Sequence, residues 1–378
     1  MMLSRLYLML ISIVLPVSIL CATSSVAANL SPANLDGLKS QFQASLKSLS
    51  DIASVHYTVA GLKELGGQVD DNVCSSIKKL VEKNNIESIY HATEAAKALS
   101  NCKLSVDDFR STIQSTLQSD KSKTADIYYA VASSVNLGLP VDESAVEKRL
   151  NALAKTDDSI ASQGYALLTG AKLSQPVAKF YASTINDLVQ QADEIDGRIL
   201  QYEGGVGVTA MVFNAFYEVA QRAGESVKID AKQLLKFAAY FSSKKHVATL
   251  RSAYYLSKVF KYLSDSKNSV PVVVSRISSS AVNAQNPSIL VSVTNFLGQP
   301  VGEMTVTAES AKRNDDGVIA LSKQKLTQRS SDATLYELPF YSNKIPKGFY
   351  TIQLSLKPVG EGKFIGLTDN TIEVKVTS

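Results

Sequence analysis

The side chains that could do chemistry in this chain are few and scattered. Three histidines are present, His56, His91 and His246. Two of them, His56 and His91, exchange places with Tyr57 and Tyr90 in otherwise similar segments, so a shared packing layer explains them better than a metal site does. The run Gly204-Gly205-Val206-Gly207 has the glycine density of a phosphate-cradling loop. However, no strand pattern precedes it and no glycine follows three residues after Gly207, so it reads as the joint before a helix spanning Thr209–Ala223. The acidic pairs Asp70-Asp71 and Asp157-Asp158 fall at inter-helix turns, where negative charge is favoured at a helix start, and Asp315-Asp316 falls in a hairpin loop. The GxSxG, HExxH and P-loop patterns are absent. The expected assignment is therefore no catalytic residue, no cofactor and no metal.

Cysteine usage points to an oxidising compartment. Met1–Arg5 carries one positive charge, Leu6–Cys21 is apolar, and the small-residue tail Ala22–Ala28 offers cleavage after Ala27 or Ala28. That is the build of a secretory signal peptide, assigned to residues 1–28, because the apolar run is shorter than the roughly 20 residues a spanning helix needs. Of three cysteines, Cys21 leaves with the leader, and Cys74 and Cys102 remain as an even pair. A Cys74–Cys102 bridge is expected in such a setting, and neither cysteine has the CxxC neighbour of a zinc site. The net charge of +4 falls to +3 when Arg5 is lost, and no basic run exceeds short pairs such as Lys244-Lys245. Nucleic acid is excluded as a partner on that ground. The only open glycosylation sequon is Asn29-Leu30-Ser31, because Pro287 blocks Asn286-Pro287-Ser288. Asn29 sits at the cleavage point and is a weak acceptor.

Two hydrophobic periods divide the remainder. From Leu35 to about Asp265 apolar residues recur at three- and four-residue steps, as in Ile52, Val55, Val59 and Leu62, a helical stripe that Gly66-Gly67 ends. Within this stretch Ser54-Val55-His56-Tyr57, Ser88-Ile89-Tyr90-His91 and Asp126-Ile127-Tyr128-Tyr129 are spaced 34 and 38 residues apart, with a degenerate copy at Ser159-Ile160. Such spacing predicts stacked helical hairpins, five or six of them, curved or closed, over residues 29–265. Beyond the polar stretch Asp265–Ser269 the period becomes two. Seven short strands are expected over 270–378, namely Val272–Ile277, Ile289–Thr294, Met304–Ala308, Ile319–Leu321, Leu335–Leu338, Tyr350–Leu356 and Ile372–Val376. Seven strands in about 110 residues predict an immunoglobulin-like sandwich, and Pro346-Lys347-Gly348-Phe349-Tyr350 has the form of the turn before a tyrosine-corner strand. The expected fold class is α plus β and multidomain, a helical repeat array of solenoid or toroid type followed by the sandwich.

Particular phrases resemble a known family. Ser242-Ser243-Lys244-Lys245 with Ala253–Leu263 and Val270-Pro271-Val272-Val273-Val274, together with Tyr57–Leu62, Ile127–Val131, Gly138-Leu139-Pro140 and Leu200–Glu203, are similar in order to ribophorin II, known in fungi as Swp1. The two cysteines also fall where that family has them. The resemblance implies an accessory subunit of the oligosaccharyltransferase of the endoplasmic reticulum, working on the lumenal side with the other transferase subunits as partners and without catalysis of its own. It implies a scaffold in protein N-glycosylation, the catalytic subunit being a different one with a Trp-rich motif, whereas this chain has no Trp. Family members usually continue into a second β-rich stretch and a C-terminal membrane bundle. The sequence ends at Ser378, which reads as a shortened form lacking that bundle. Two rival readings share parts of the pattern. A secreted or lumenal repeat-plus-sandwich binding protein would share the architecture without the assembly. An α/α-toroid enzyme would carry acids or ligands facing a central cavity, and no such cluster is legible in the sequence.

Overall fold

The structure is a computed structural model that describes residues 26–99, 101–278, 281–283, 285, 287–340 and 344–377. The expected leader lies outside the described residues apart from its last three positions, Asn286 lies outside them, and of Asn29 only the backbone is described.

Helices fill the N-terminal part. They are α1 (Leu35–Leu46), α2 (Ile52–Glu64), α3 (Val73–Leu80), α4 (Ile86–Ala98), α5 (Asp107–Gln118), α6 (Thr124–Leu137) and α7 (Glu143–Leu153). A second group follows with α8 (Ile160–Gly170), α9 (Gln175–Ser183), α10 (Ile185–Val189), α11 (Gly205–Ala223), α12 (Ala231–Ser242) and α13 (Leu250–Tyr262). Side-chain caps start several of them. The Asp51 carboxylate accepts from the Ser54 N–H at 2.8 Å and the Asn85 side chain from the Ser88 N–H at 3.2 Å. The repeat's Ser54 and Ser88 are therefore third-position residues, and the caps lie three residues before them, where a short acceptor reaches the free amides of the first turn. In the third copy, Asp126 closes the helix start from inside by accepting from the Lys123 N–H at 2.8 Å.

The hairpins close into a ring. Helices α2, α4, α6, α8, α11 and α13 pack each on the next, and α13 returns to pack on α2. Other helices lie outside, with α1 against α2 and α13, α3 against α2 and α4, α5 against α4 and α6, α7 against α6, and α9 against α8 and α11. Helix α11 is the most deeply embedded of the six, with Met211, Val212, Phe213, Ala215 and Phe216 all wholly buried around its circumference, as expected of a helix packed on every side. Small residues let neighbouring helices approach, for a Cβ at Gly61 would stand 2.4 Å from Phe42 on α1.

One element contradicts a wholly helical reading of 35–265. A two-stranded hairpin, β1 (Asp193–Ile195) with β2 (Ile199–Gln201), interrupts it. Its turn holds Asp196 and Gly197 at φ 52° and 69°, the left-handed pair that an Asp-Gly dipeptide supplies most readily. The Gly204–Gly207 run is the joint before a helix, with Gly204 and Gly205 at φ 92° and 72°, and α11 begins at Gly205 rather than Thr209.

Cys74 and Cys102 are joined by a disulfide with Cα atoms 5.4 Å apart. It ties α3 to the segment after α4 and closes a loop of 28 residues, worth roughly 3–4 kcal/mol if it acts by restricting the unfolded chain.

The C-terminal part consists of β3 (Val270–Pro271), β4 (Val273–Arg276), β5 (Ala281–Val282), β6 (Ser288–Thr294), β7 (Met304–Arg313), β8 (Ile319–Lys325), β9 (Thr327–Arg329), β10 (Asp332–Pro339), β11 (Gly348–Pro358), β12 (Phe364–Ile365) and β13 (Asn370–Val376). One sheet has the order β4-β6-β10-β9, the other β5-β13-β11-β7-β8, and β12 pairs with β3. Alternate residues of the two sheets, among them Ile289, Val291, Val306, Ile352, Leu354, Ile372 and Val374, form one shared core, the pattern of a sandwich. The Tyr350 hydroxyl donates to the Pro346 carbonyl at 2.8 Å, so the expected tyrosine corner is formed.

The two units meet at a plug. Phe296 leaves the end of β6, is wholly buried, and lies in the core of the helical ring with Val273, its ring 5.6 Å from that of Phe260 on α13. The segment before α1 crosses this joint, the Ala33 N–H donating to the Phe296 carbonyl at 3.1 Å while Lys245 Nζ donates to Ser31 and to the Pro32 carbonyl. Among the described residues no helix is long and apolar enough to cross a membrane.

Candidate functional site

The interior of the ring is the most chemically equipped place in the molecule. Equivalent positions of the inner helices lie at one level, which requires those helices to run in the same direction. The repeat's paired rings come from the N-terminal halves, and charged groups come from the C-terminal halves and, for Lys172, from the turn after α8.

The aromatic level closes one end. His56 and His91 meet through their Nδ1 atoms at 2.8 Å, and both are buried. His91 Nε2 faces Glu87 at 3.8 Å, so a proton on that nitrogen leaves its Nδ1 to accept from His56 Nδ1–H. Burial first, then His91 and the Lys258 ammonium, hold the His56 pKa well below its ordinary value, so this ring is neutral. The layer continues through hydroxyl contacts, Tyr90 with Tyr128 at 3.2 Å and Tyr129 with Tyr165 at 3.1 Å, and Arg251 Nη2 donates to Tyr165 at 3.0 Å. The expected packing layer of His56, His91, Tyr57 and Tyr90 is thus assembled, with Tyr57 stacked 4.8 Å from His56. Residue His246 is placed apart, in the segment between α12 and α13.

Above this layer lies a cavity of about 450 Å³ whose lining includes Tyr90, Tyr128, Tyr254, Tyr255 and the charged side chains of the C-terminal halves. Glu218 is its centre. Lys258 Nζ stands 2.5 Å from one carboxylate oxygen, Asn214 Nδ2 donates to the same oxygen at 3.0 Å, and Lys172 Nζ lies 3.5 Å from the other. Burial pushes the Glu218 carboxyl up, but the two ammonium groups and the hydrogen bonds from Lys258 and Asn214 outweigh it and hold the pKa well below the usual carboxylate range. The same attraction raises Lys172, against a smaller effect of burial. For Lys258 burial acts downward, and Glu218 and the neighbouring tyrosines overcome it. Glu94, also lining the cavity, accepts from Asn136 at 2.9 Å. Lys97, Gln221 and Arg222 form an exposed rim.

A second compartment of about 500 Å³ adjoins the first, sharing Gln221, Lys258 and Tyr262 with it and reaching Lys267 and Asn268 at the joint. Between the two, Tyr262 stacks on Tyr217 at 4.8 Å.

The sequence reading missed this cluster. Carboxylates do face the centre of the ring, contrary to the expectation that none could be found there. The signal was present in α11, where Asn214 and Glu218 stand four residues apart inside an otherwise apolar run and so share one helix face. Among the described residues no group of three or more His, Cys, Asp or Glu side chains is arranged to hold a metal ion.

Comparison with known families bears on both units. The sequence model described as the Ribophorin II N-terminal domain matches residues 30–264, and that of the Ribophorin II second domain matches residues 272–376. The chain belongs to the ribophorin II family. The first match of this ribophorin II chain spans the whole ring with its central cavity, and the second spans nearly all of the sandwich. The disulfide and the tyrosine corner lie within the matched segments.

Proposed function

We propose that this chain is a non-catalytic accessory subunit of the oligosaccharyltransferase, supporting protein N-glycosylation as a scaffold on the lumenal side of the endoplasmic reticulum with the other transferase subunits as its partners. The observation that carries this reading is the match of both ribophorin II domains, in order, over nearly the whole chain. The disulfide agrees with an oxidising lumen. The Phe296 plug and the N-terminal crossing segment support a scaffolding role, because they hold ring and sandwich as one surface.

Membrane attachment, in this reading, follows the family's C-terminal bundle, and the sequon at Asn29 stays unoccupied or nearly so. The rival of a repeat-plus-sandwich binding protein outside the complex differs only in its partners. Purified chain mixed with lipid-linked oligosaccharide, divalent metal and a sequon peptide is expected to yield no glycopeptide above a no-protein control. Glycopeptide formed by this chain alone would overturn the non-catalytic assignment.

A further inference from the structure

We propose that the central cavity of the helical ring is a binding site for a neutral, hydroxyl-rich ligand, an oligosaccharide segment. The proposal stands on the ring interior alone and does not rest on membership in a larger complex.

Charge balance argues for neutrality. The inner wall carries two carboxylates, Glu94 and Glu218, and two ammonium groups, Lys172 and Lys258. Both lysines pair with Glu218, Glu94 is held by Asn136, and the four charges sum to zero, so a charged ligand would meet no net opposite charge at that depth, and a second buried charge would need one. Net charge on the lining is confined to Lys97 and Arg222 at the rim.

Hydrogen-bonding capacity inside is nevertheless unfilled, and of both kinds. Asn214 is 1% exposed, and because the Glu218 carboxylate only accepts, the amide nitrogen must face it. Its Oδ1 is left as a buried acceptor with no partner, an arrangement costly enough to call for explanation. Lys172 Nζ reaches Glu218 only at 3.5 Å and makes no hydrogen bond among the described residues, leaving donors free. A sugar hydroxyl both donates and accepts, so one ligand chemistry answers both vacancies, the Asn214 amide shifting in its place in the lining to bring its buried Oδ1 to the ligand.

The walls supply the other half of sugar recognition. Tyr90, Tyr128, Tyr254, Tyr255 and Tyr262 line the cavity, and the electron-rich faces of such rings suit the slightly positive C–H face of a pyranose. Its volume falls in the range of small-molecule sites, which combine aromatic walls with a few fixed polar groups. The adjoining compartment extends the space past Tyr262, so that more than one sugar unit has room.

The test is calorimetric titration of the full chain with mannotriose, maltotriose and chitotriose, with inorganic pyrophosphate as the charged comparison. Because the chain has no Trp, its tyrosine fluorescence reports occupancy of the cavity independently. At least one trisaccharide is expected to bind at millimolar concentration or below and to change that fluorescence, and pyrophosphate to bind more weakly. Asn214→Ala is expected to weaken the trisaccharide about tenfold, the size of one lost hydrogen bond. Gln221→Ala changes an exposed residue shared by both compartments and is expected to weaken it several-fold, so the result can be read even if Asn214→Ala does not fold. Three results would each overturn the proposal: no trisaccharide binding at millimolar concentration, binding unchanged in Gln221→Ala and in any folded Asn214→Ala, or pyrophosphate binding in preference with loss in Lys97→Ala.

Discussion

Glu218→Ala is expected to destabilise the helical ring by about 3–5 kcal/mol, the cost of leaving buried charges without their partner. Both Lys172 and Lys258 depend on this carboxylate, with side chains 19% and 15% exposed, so neither can turn fully to water. Chemical denaturation followed by circular dichroism measures the loss, and a change below about 1 kcal/mol would mean that the pair is solvated and contributes as little as a surface bridge. The pH dependence has a definite sign. The folded pKa of Glu218 is depressed, so its stabilisation is fully present above the unfolded value of about 4.3 and is lost as pH falls below that toward the folded value. Glu218→Gln removes the titrating group while keeping the shape. The gap between wild type and this variant should therefore narrow in acid and stay constant between pH 6 and 8 (conditions of the assay, well above the roughly 4.3 of a free glutamate).

Phe296→Ala is expected to cost about 3–5 kcal/mol as well, by a different route, since it empties a fully packed aromatic site. The ring of Phe296 is the sandwich's deepest contribution to the helical core and rests on Phe260. Losing it should weaken docking more than it weakens either unit. Calorimetry is expected to show the sandwich and the ring melting closer to a single transition in the wild type and as two separated transitions in the variant. One unchanged transition would show that the crossing segment at Ala33 and the β3–β12 pairing hold the joint without the plug.

What the sequence revealed and what it hid follow from the range of the interactions involved. The change from helical period to strand period after Asp265 was legible because hydrophobic alternation is local. The strand expected at Ile372–Val376 falls within β13. The His56–His91 layer was legible because the repeat placed the two residues in adjacent positions, exchanged with Tyr57 and Tyr90. Closure of the ring was not, because α13 meets α2 across nearly the length of the domain and no local pattern encodes that pairing. The β1–β2 hairpin was hidden by the surrounding helical pattern, although Asp196-Gly197 is a strong turn signal. Phe296 stands beside Asn295 and near Gly298 just after a strand, where no local pattern marks it as core, and only the neighbouring helices make it so. The cavity charges were hardest. Glu94, Glu218 and Lys258 come from three helices and Lys172 from the turn after α8, and each alone resembles an ordinary solvated charge.

The central claim is that this ribophorin II chain works as a subunit of the oligosaccharyltransferase. The most direct measurement is affinity purification of the tagged natural product from detergent-solubilised endoplasmic-reticulum membranes, with quantitative mass spectrometry of what accompanies it. The account predicts that the other transferase subunits, the catalytic one included, are recovered in near-stoichiometric amounts. Recovery of the tagged protein without transferase subunits, from membranes that retain active transferase, would contradict it.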